Sequence, residues 1–383
     1  MAQGLSQKIG VGTKILMIAG SFILPIAVLV YLMLGNINEF INFAVLEQKG
    51  NAIQRPLENT LKSVEEFQVG YFLNNTPDWQ AAWTRSQDDF QALGSAFDRL
   101  GADLQFTDDG LGKRDRSGIK FDAVRNRWSE IGVQVNSADA NRDEVQKKIA
   151  GVVSDIRTMI VHAGDTSNLI LDPDLDSYYL MDVTLIALPQ MQQRLAEIAM
   201  QGASLLDKPA LSEGDRVFLS VQAALLQQSD LDRAIGSYKT ALNEDRNFYG
   251  ISDTLQTEVS AGMEKLNADV GGFLAVVNRV GKGQRIDKAE WIGAANKALQ
   301  TSFSVWNISV KELDTLLARR IQYYVARKNT SMGLSAFALL VASLIAFAVS
   351  KSITNPLLAV TKLLGPGWSS PRQTGQSSQR LLS

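Results

Sequence analysis

The sequence predicts an all-α protein in which two transmembrane helices flank a long antiparallel helical bundle, organised as two stacked four-helix bundles. Three observations lead there. Two uncharged apolar runs lie near the two ends of the 383-residue chain. Between them, apolar residues recur at helical spacing and helix-start signals are frequent. Strand signals are scarce, and the one Asp-Gly pair, Asp109-Gly110, has no strand pattern on either side.

The first apolar run, Ile15 to Leu34, holds 20 residues without a charge. At about 1.5 Å per residue it spans roughly 30 Å, the thickness of a hydrocarbon layer. Pro25 lies mid-span, where a kink is tolerated in a membrane bundle. The run exceeds a signal-peptide core and no small-x-small cleavage site follows it, so it reads as a retained anchor. The second run, Met332 to Val349, holds 18 uncharged residues rich in Ala, Leu and Ser. The competing reading, a buried core helix, fits that length and composition less well.

Flanking charge sets the expected orientation. Lys8 and Lys14 precede the first run, and residues 35–48 after it carry no Lys or Arg. The N-terminus is therefore expected in the cytoplasm. Arg319, Arg320, Arg327 and Lys328 on the presumed outer flank of the second run conflict with Lys351 and Lys362 inside. Long translocated segments largely escape the charge rule, and the first helix usually dominates. The expected map is a cytoplasmic N-terminus (1–14), a first span (15–34), a periplasmic helical segment (35–331), a second span (332–349), a short cytoplasmic helix (350–364) and a disordered tail (365–383) in an inner-membrane protein.

Within 35–331, Val221, Leu225, Leu231, Ile235, Tyr238 and Leu242 form an amphipathic stripe. Thr76-Pro77-Asp78 and Asp172-Pro173-Asp174 read as N-cap, helix-opening proline and an acid facing the helix dipole. Ser212 with Asp215 approximates a capping box; Ser252 or Asp253 and Asp287 open later helices. Helices are expected to about Leu73 with a break at Arg55-Pro56, then over about 77–103, 114–135, 140–171, 173–207, 212–247 and 250–281, the last starting near 287 and entering the second span. Long helices joined by short loops must lie antiparallel to bury their stripes.

Composition excludes several functions. Net charge is −2, which gives nucleic acid no footprint. Without cysteine there is no disulfide, thiolate metal site or cysteine nucleophile. His162 is the single histidine; with Asp165 three residues on it reads as a surface or capped polar residue. Gly-x-Ser-x-Gly, His-Glu-x-x-His and phosphate-cradling loops are absent, so neither an enzyme nor a cofactor is expected. Trp79, Trp83, Trp128, Trp291 and Trp306 are expected to pack cores.

The run Asn168 to Asp182 is the most informative stretch. Asp172, Asp174 and Asp176 alternate like a calcium loop, but Ser177 and Val183 stand where that loop needs glycine and glutamate. No metal site is expected. On a helix starting at Pro173, Asp176 neighbours Tyr179, and Tyr179 shares a face with Asp182. These three residues are candidate ligand contacts between helices, with a satisfied polar core cluster as the plainer alternative. Arg157 and Arg194, together with Arg233, are candidate anion contacts.

The anchor Lys14–Leu34, the run SNLILDPDLDSYYLMD followed by Leu188-Pro189, and Ser352-Ile353-Thr354-Asn355-Pro356-Leu357 after the second span carry a resemblance. Together they resemble bacterial methyl-accepting chemotaxis receptors and related sensor kinases, over about residues 8–364. Ser352 to Leu357 resembles the opening of a HAMP signal-relay domain, and the large sensor resembles the helical bimodular type. The resemblance implies a homodimer that binds a small-molecule ligand outside and passes helix motion to a cytoplasmic output. It departs from the family at Gly365-Pro366-Gly367, after which no second HAMP helix or signalling module follows. A sensor kinase, a diguanylate cyclase or a ligand-free membrane-anchored scaffold would share the same anchored sensor.

Overall fold

The computed structural model describes residues 11–73, 78–137 and 141–363. Among them every regular element is helical. They are α1 (Val11–Phe72), α2 (Asp78–Leu100), α3 (Asp108–Gly112), α4 (Phe121–Val135), α5 (Arg142–Thr166), α6 (Leu175–Asp182), α7 (Leu188–Leu205), α8 (Glu213–Ala224), α9 (Asp232–Glu244), α10 (Ser260–Gly281) and α11 (Lys288–Leu363). The Thr76-Pro77 helix start, residues 1–10 and the tail from 364 lie outside the described residues.

The chain divides into two compact units, residues 1–39 with 325–383, and residues 40–324. In the first unit the apolar windows of α1 and α11 have mean hydropathies of 2.5 and 2.4, and 0% of either window is buried. A soluble protein hides such stretches in its core. Here Phe22, Leu24, Tyr31, Leu334, Phe337 and Leu340 all face outward. Both helices are therefore long and apolar enough to cross a membrane. The two approach closely at Gly12, where a Cβ would lie 2.8 Å from Thr354 Oγ1.

The second unit gathers its helices into two groups. In one, α5 runs back along α1: Arg142 at its start donates to the Tyr71 and Phe72 carbonyls, and Ser167 just past its end packs on Gly50. Phe67 of α1 meets Trp79 and Trp83 of α2 and Trp128 of α4 in an aromatic core. In the other group, α6 and α7 pack with α8 to α11. Trp291 Nε1 donates to the Ala199 carbonyl, Tyr238 pairs with Ser309 at 2.6 Å, and Thr301 donates to Asp269. The buried tryptophans fill cores as expected.

Three expectations fail locally. The helix does not break at Arg55-Pro56: α1 runs through it. The proline removes one helical hydrogen bond, but fully buried Ile53, Leu57 and Leu61 hold the helix on both sides. The stripe from Val221 to Leu242 is not continuous, because a π-helical stretch, Leu225–Leu231, widens the helix. Its extra residue shifts the phase, so Val221 is exposed while Leu219 and Ala223 ahead of it and Leu226 within it are buried. The 173–207 helix starts at Leu175 and carries another π turn at Val183–Ala187, just ahead of Pro189. Pro189 has no N–H, so it cannot bond back to the Thr184 carbonyl; Trp306 Nε1 donates there instead at 2.9 Å. The Ser212–Asp215 capping box forms as expected.

Candidate functional site

The α1 and α11 helices lie antiparallel through the second unit, and their contacts define the site. Phe40 stacks on Tyr324 with ring centroids 5.1 Å apart. Asn51 Nδ2 donates to Asp314 at 2.6 Å and to the Val310 carbonyl at 2.9 Å, and Arg55 pairs with Asp314 at 2.5 Å. Further along, Lys62 Nζ lies 6.0 Å from the Phe303 ring centroid. As numbers rise along α1 they fall along α11, so one register holds through about six helical turns from Phe40 to Lys62.

At the Tyr324 end of this seam lies the main polar centre. The Arg320 guanidinium donates to Glu47 at 2.6 Å, to Asp174 at 2.5 Å, to Ser177 Oγ at 2.6 Å, and to Asp172. The side chains of Glu47 and Asp172 are 0% exposed and that of Arg320 is 3% exposed. The acids come from two places, Glu47 from α1 and the aspartates from the loop between α5 and α6. That loop is shaped for the task. Asn168 takes a left-handed conformation (φ +67°), and Asp172 Oδ1 caps the Asp174 N–H at 2.9 Å. Asp174 stands at the N-cap position of α6, yet its carboxylate faces Arg320 instead of the helix backbone.

Electrostatics follow from four carboxylates around one cation. Burial pushes Asp176 up to about 7, with Asp174 and Asp172 adding repulsion. Burial also raises Glu47 and Asp172, although Arg320 pulls both down. For Arg320 burial alone would weaken the charge; Asp172, Glu47 and Asp174 more than reverse that and hold it above the usual arginine range. Glu47 Oε1 and Asp172 Oδ2 are buried without a hydrogen-bond partner among the described residues. The centre therefore holds protons at neutral pH and fixes α1, α11 and the α5–α6 loop to one another.

A second buried polar layer lies deeper. Buried Glu58 on α1 faces buried Gln192 of α7, and neither oxygen of Glu65 on α1 meets a hydrogen-bond partner among the described residues. Burial raises Glu65 and pushes Glu58 up to about 8, so Glu58 is a neutral acid at pH 7. Beyond them the seam parts around a cavity of about 300 Å³ between α1, α2 and α11. Val69, Leu73, Leu299 and Phe303 supply its apolar wall. Its charges answer one another, Arg85 meeting Glu66 at 2.8 Å.

The sequence candidates do not converge. Asp176 lies beside the Arg320 centre, its Oδ1 accepting the Ser177 N–H at 2.7 Å. Asp182 faces another helix, pairing with Arg233 at 2.6 Å and Ser237 at 2.9 Å. Half-buried Tyr179 packs edge-on against Tyr178. Arg157 donates to Gln193, and Arg194 meets buried Asp230 at 2.5 Å. His162 is not on the surface: it is fully buried, its Nε2 3.1 Å from the Gln105 carbonyl, and burial lowers its pKa. Among the described residues no cluster of acids or histidine is arranged to hold a metal ion. Sequence reading missed the centre because Arg320 resembled a flanking charge. The alternating acids at Asp172, Asp174 and Asp176 were its only signal.

What fold and site define is an all-helical chain whose two longest helices each carry an apolar, unburied stretch and are clamped together by a buried ionic centre. No family model, curated protein or solved structure matches it.

Proposed function

We propose that this chain is the ligand-sensing and membrane-spanning portion of a bacterial transmembrane receptor of the chemoreceptor type. The observation that carries the reading is the α1–α11 seam. The two helices with membrane-grade apolar stretches are the two joined by Arg320, Glu47, Asn51 and Asp314. A ligand that favours one packing of this seam shifts α11 against α1, and the apolar stretches carry that displacement inward. The two stacked four-helix bundles enter this reading as the group α1, α2, α4 and α5 and the group α6 to α11, in which α6 with α7 and α8 with α9 each count as one helix interrupted by a π turn. Residues 35–331 face the periplasm in it and both termini the cytoplasm. Arg320, neutralised by buried acids, no longer counts as a free positive charge on the outer flank. Two copies work as a homodimer, and the chain itself carries out no catalysis.

The chain has no cysteine, so introduced pairs are unambiguous. Disulfide cross-linking between Leu29→Cys and Leu340→Cys, in membranes with and without a ligand found by thermal-shift screening, reads the displacement. A ligand-dependent change in rate supports the receptor. A saturable ligand with unchanged cross-linking at every pair contradicts signalling through the spans. Failure of all metabolites to bind, with capture of a protein partner, favours a membrane-anchored scaffold.

A further inference from the structure

At the far end of the second helix group, two loops enclose a cavity of about 510 Å³, within the range of small-ligand pockets. One loop joins α7 to α8 and the other joins α10 to α11. Leu205, Leu206, Leu211, Val280 and Ile286 line its apolar floor. Gly283 adopts φ +86°, which lets the second loop curl over the opening.

The charges of this cleft do not cancel. Lys208 is answered by Asp215 at 2.8 Å, and Asp207 by Lys288 at 2.8 Å. Lys208 and the Ser212 capping box hold Asp215 down at about 2, so its carboxylate stays ionised at any physiological pH. Arg216 and Arg285 remain. Arg285 donates to the Pro209 carbonyl at 2.5 Å, a contact that leaves its charge uncompensated. The Arg216 guanidinium makes no hydrogen bond or ion pair among the described residues and lies by the curl at Gly283. An apolar floor beside two uncompensated guanidinium groups selects an anion with a hydrophobic body.

We infer that this cleft binds a small amphipathic monoanion, its carboxylate or equivalent acid group on Arg216 and Arg285 and its apolar part against Leu211, Val280 and Ile286. Ile286 lies two residues ahead of α11, so an occupant bears on the head of the helix that carries the second apolar stretch. That consequence rests on the receptor reading; the binding site does not.

The test uses the full chain in nanodiscs, with hexanoate as probe, hexan-1-ol and hexylamine as neutral and cationic controls, and empty nanodiscs for lipid partitioning. Calorimetry should show saturable hexanoate binding, with both controls at least about tenfold weaker. Arg216→Gln should weaken hexanoate about tenfold while leaving the melting temperature unchanged, Arg216→Lys should recover part of the loss, and Arg285→Gln should add to it. Absence of saturable binding, equal binding of hexan-1-ol, or wild-type affinity in Arg216→Gln would each overturn the site. A hexanoate site that leaves the span cross-links unchanged would keep the cleft and remove the receptor reading. Span cross-links that respond to some other ligand, without hexanoate binding, would do the reverse.

Discussion

The two ends of the second helix group hold arginines in opposite circumstances. Arg320 is sealed, with every nitrogen donating to an acid or to Ser177. Arg216 stands in an open cleft with its guanidinium uncommitted. The difference separates holding from receiving. A buried guanidinium with several acids fixes the register of three chain segments, because moving any one of them strands a charge in an apolar interior. An open one contributes little to stability and keeps its donors for a solute. In the receptor reading, the cleft is where energy enters and the sealed centre is what makes α1 and α11 respond together.

Removing the sealed cation should have the largest effect. Arg320→Met leaves Glu47, Asp172 and Asp174 buried without their partner, and should destabilise the fold by about 3–5 kcal/mol in denaturant unfolding. A change as small as that of Arg216→Gln would show that the centre does not hold the helices. Next comes packing. Gly202 lies under Trp291, and a Cβ there would fall 1.9 Å from Cζ2 of the indole. Gly202→Ala should cost about 1–3 kcal/mol, because the ring is fixed by its bond to Ala199 and cannot step aside freely.

The acid layer predicts an effect of intermediate size with a defined sign. Asp176 and Glu58 titrate near 7 and 8 in the folded protein, well above their values in an unfolded chain. The folded state thus holds protons that the unfolded state has released. Stability is fully present below about pH 4 and falls as pH rises through 7 and 8. The melting temperature should be higher at pH 5.5 than at pH 8.5, and Glu58→Gln should flatten that slope. A melting temperature that rises with pH over this window would contradict the assignment. Smallest is Ser212→Ala, which breaks the capping box next to the open cleft and should cost roughly 0.5–2 kcal/mol. It sharpens the comparison by showing how little of the fold depends on the receiving end.

What sequence made legible follows the range of the interactions. The apolar runs, the all-helical class and the Ser212 cap depend on residues within a few turns of each other, and all appear in the structure. The Arg320 centre depends on partners 143 to 273 residues away, and no local pattern announces them. The π stretches were equally hidden. Each inserts one residue into a helical period, which moved Val221 off the buried face that its spacing predicted. At Pro189 the cause was local but its consequence was not, since the freed Thr184 carbonyl is satisfied by Trp306 on another helix. Asp182, Arg157 and Arg194 carried the chemistry of a site, yet partners such as Arg233, Gln193 and Asp230 already occupy them.

Cysteine labelling in intact cells tests the central claim most directly, since the natural chain contributes no background thiol. A membrane-impermeant maleimide should modify Ser220→Cys on exposed α8 without lysis, and Ser352→Cys only after the inner membrane is permeabilised. Labelling of Ser352→Cys alone in intact cells, or protection of Ser220→Cys until lysis, would contradict a periplasmic sensor held by two spans.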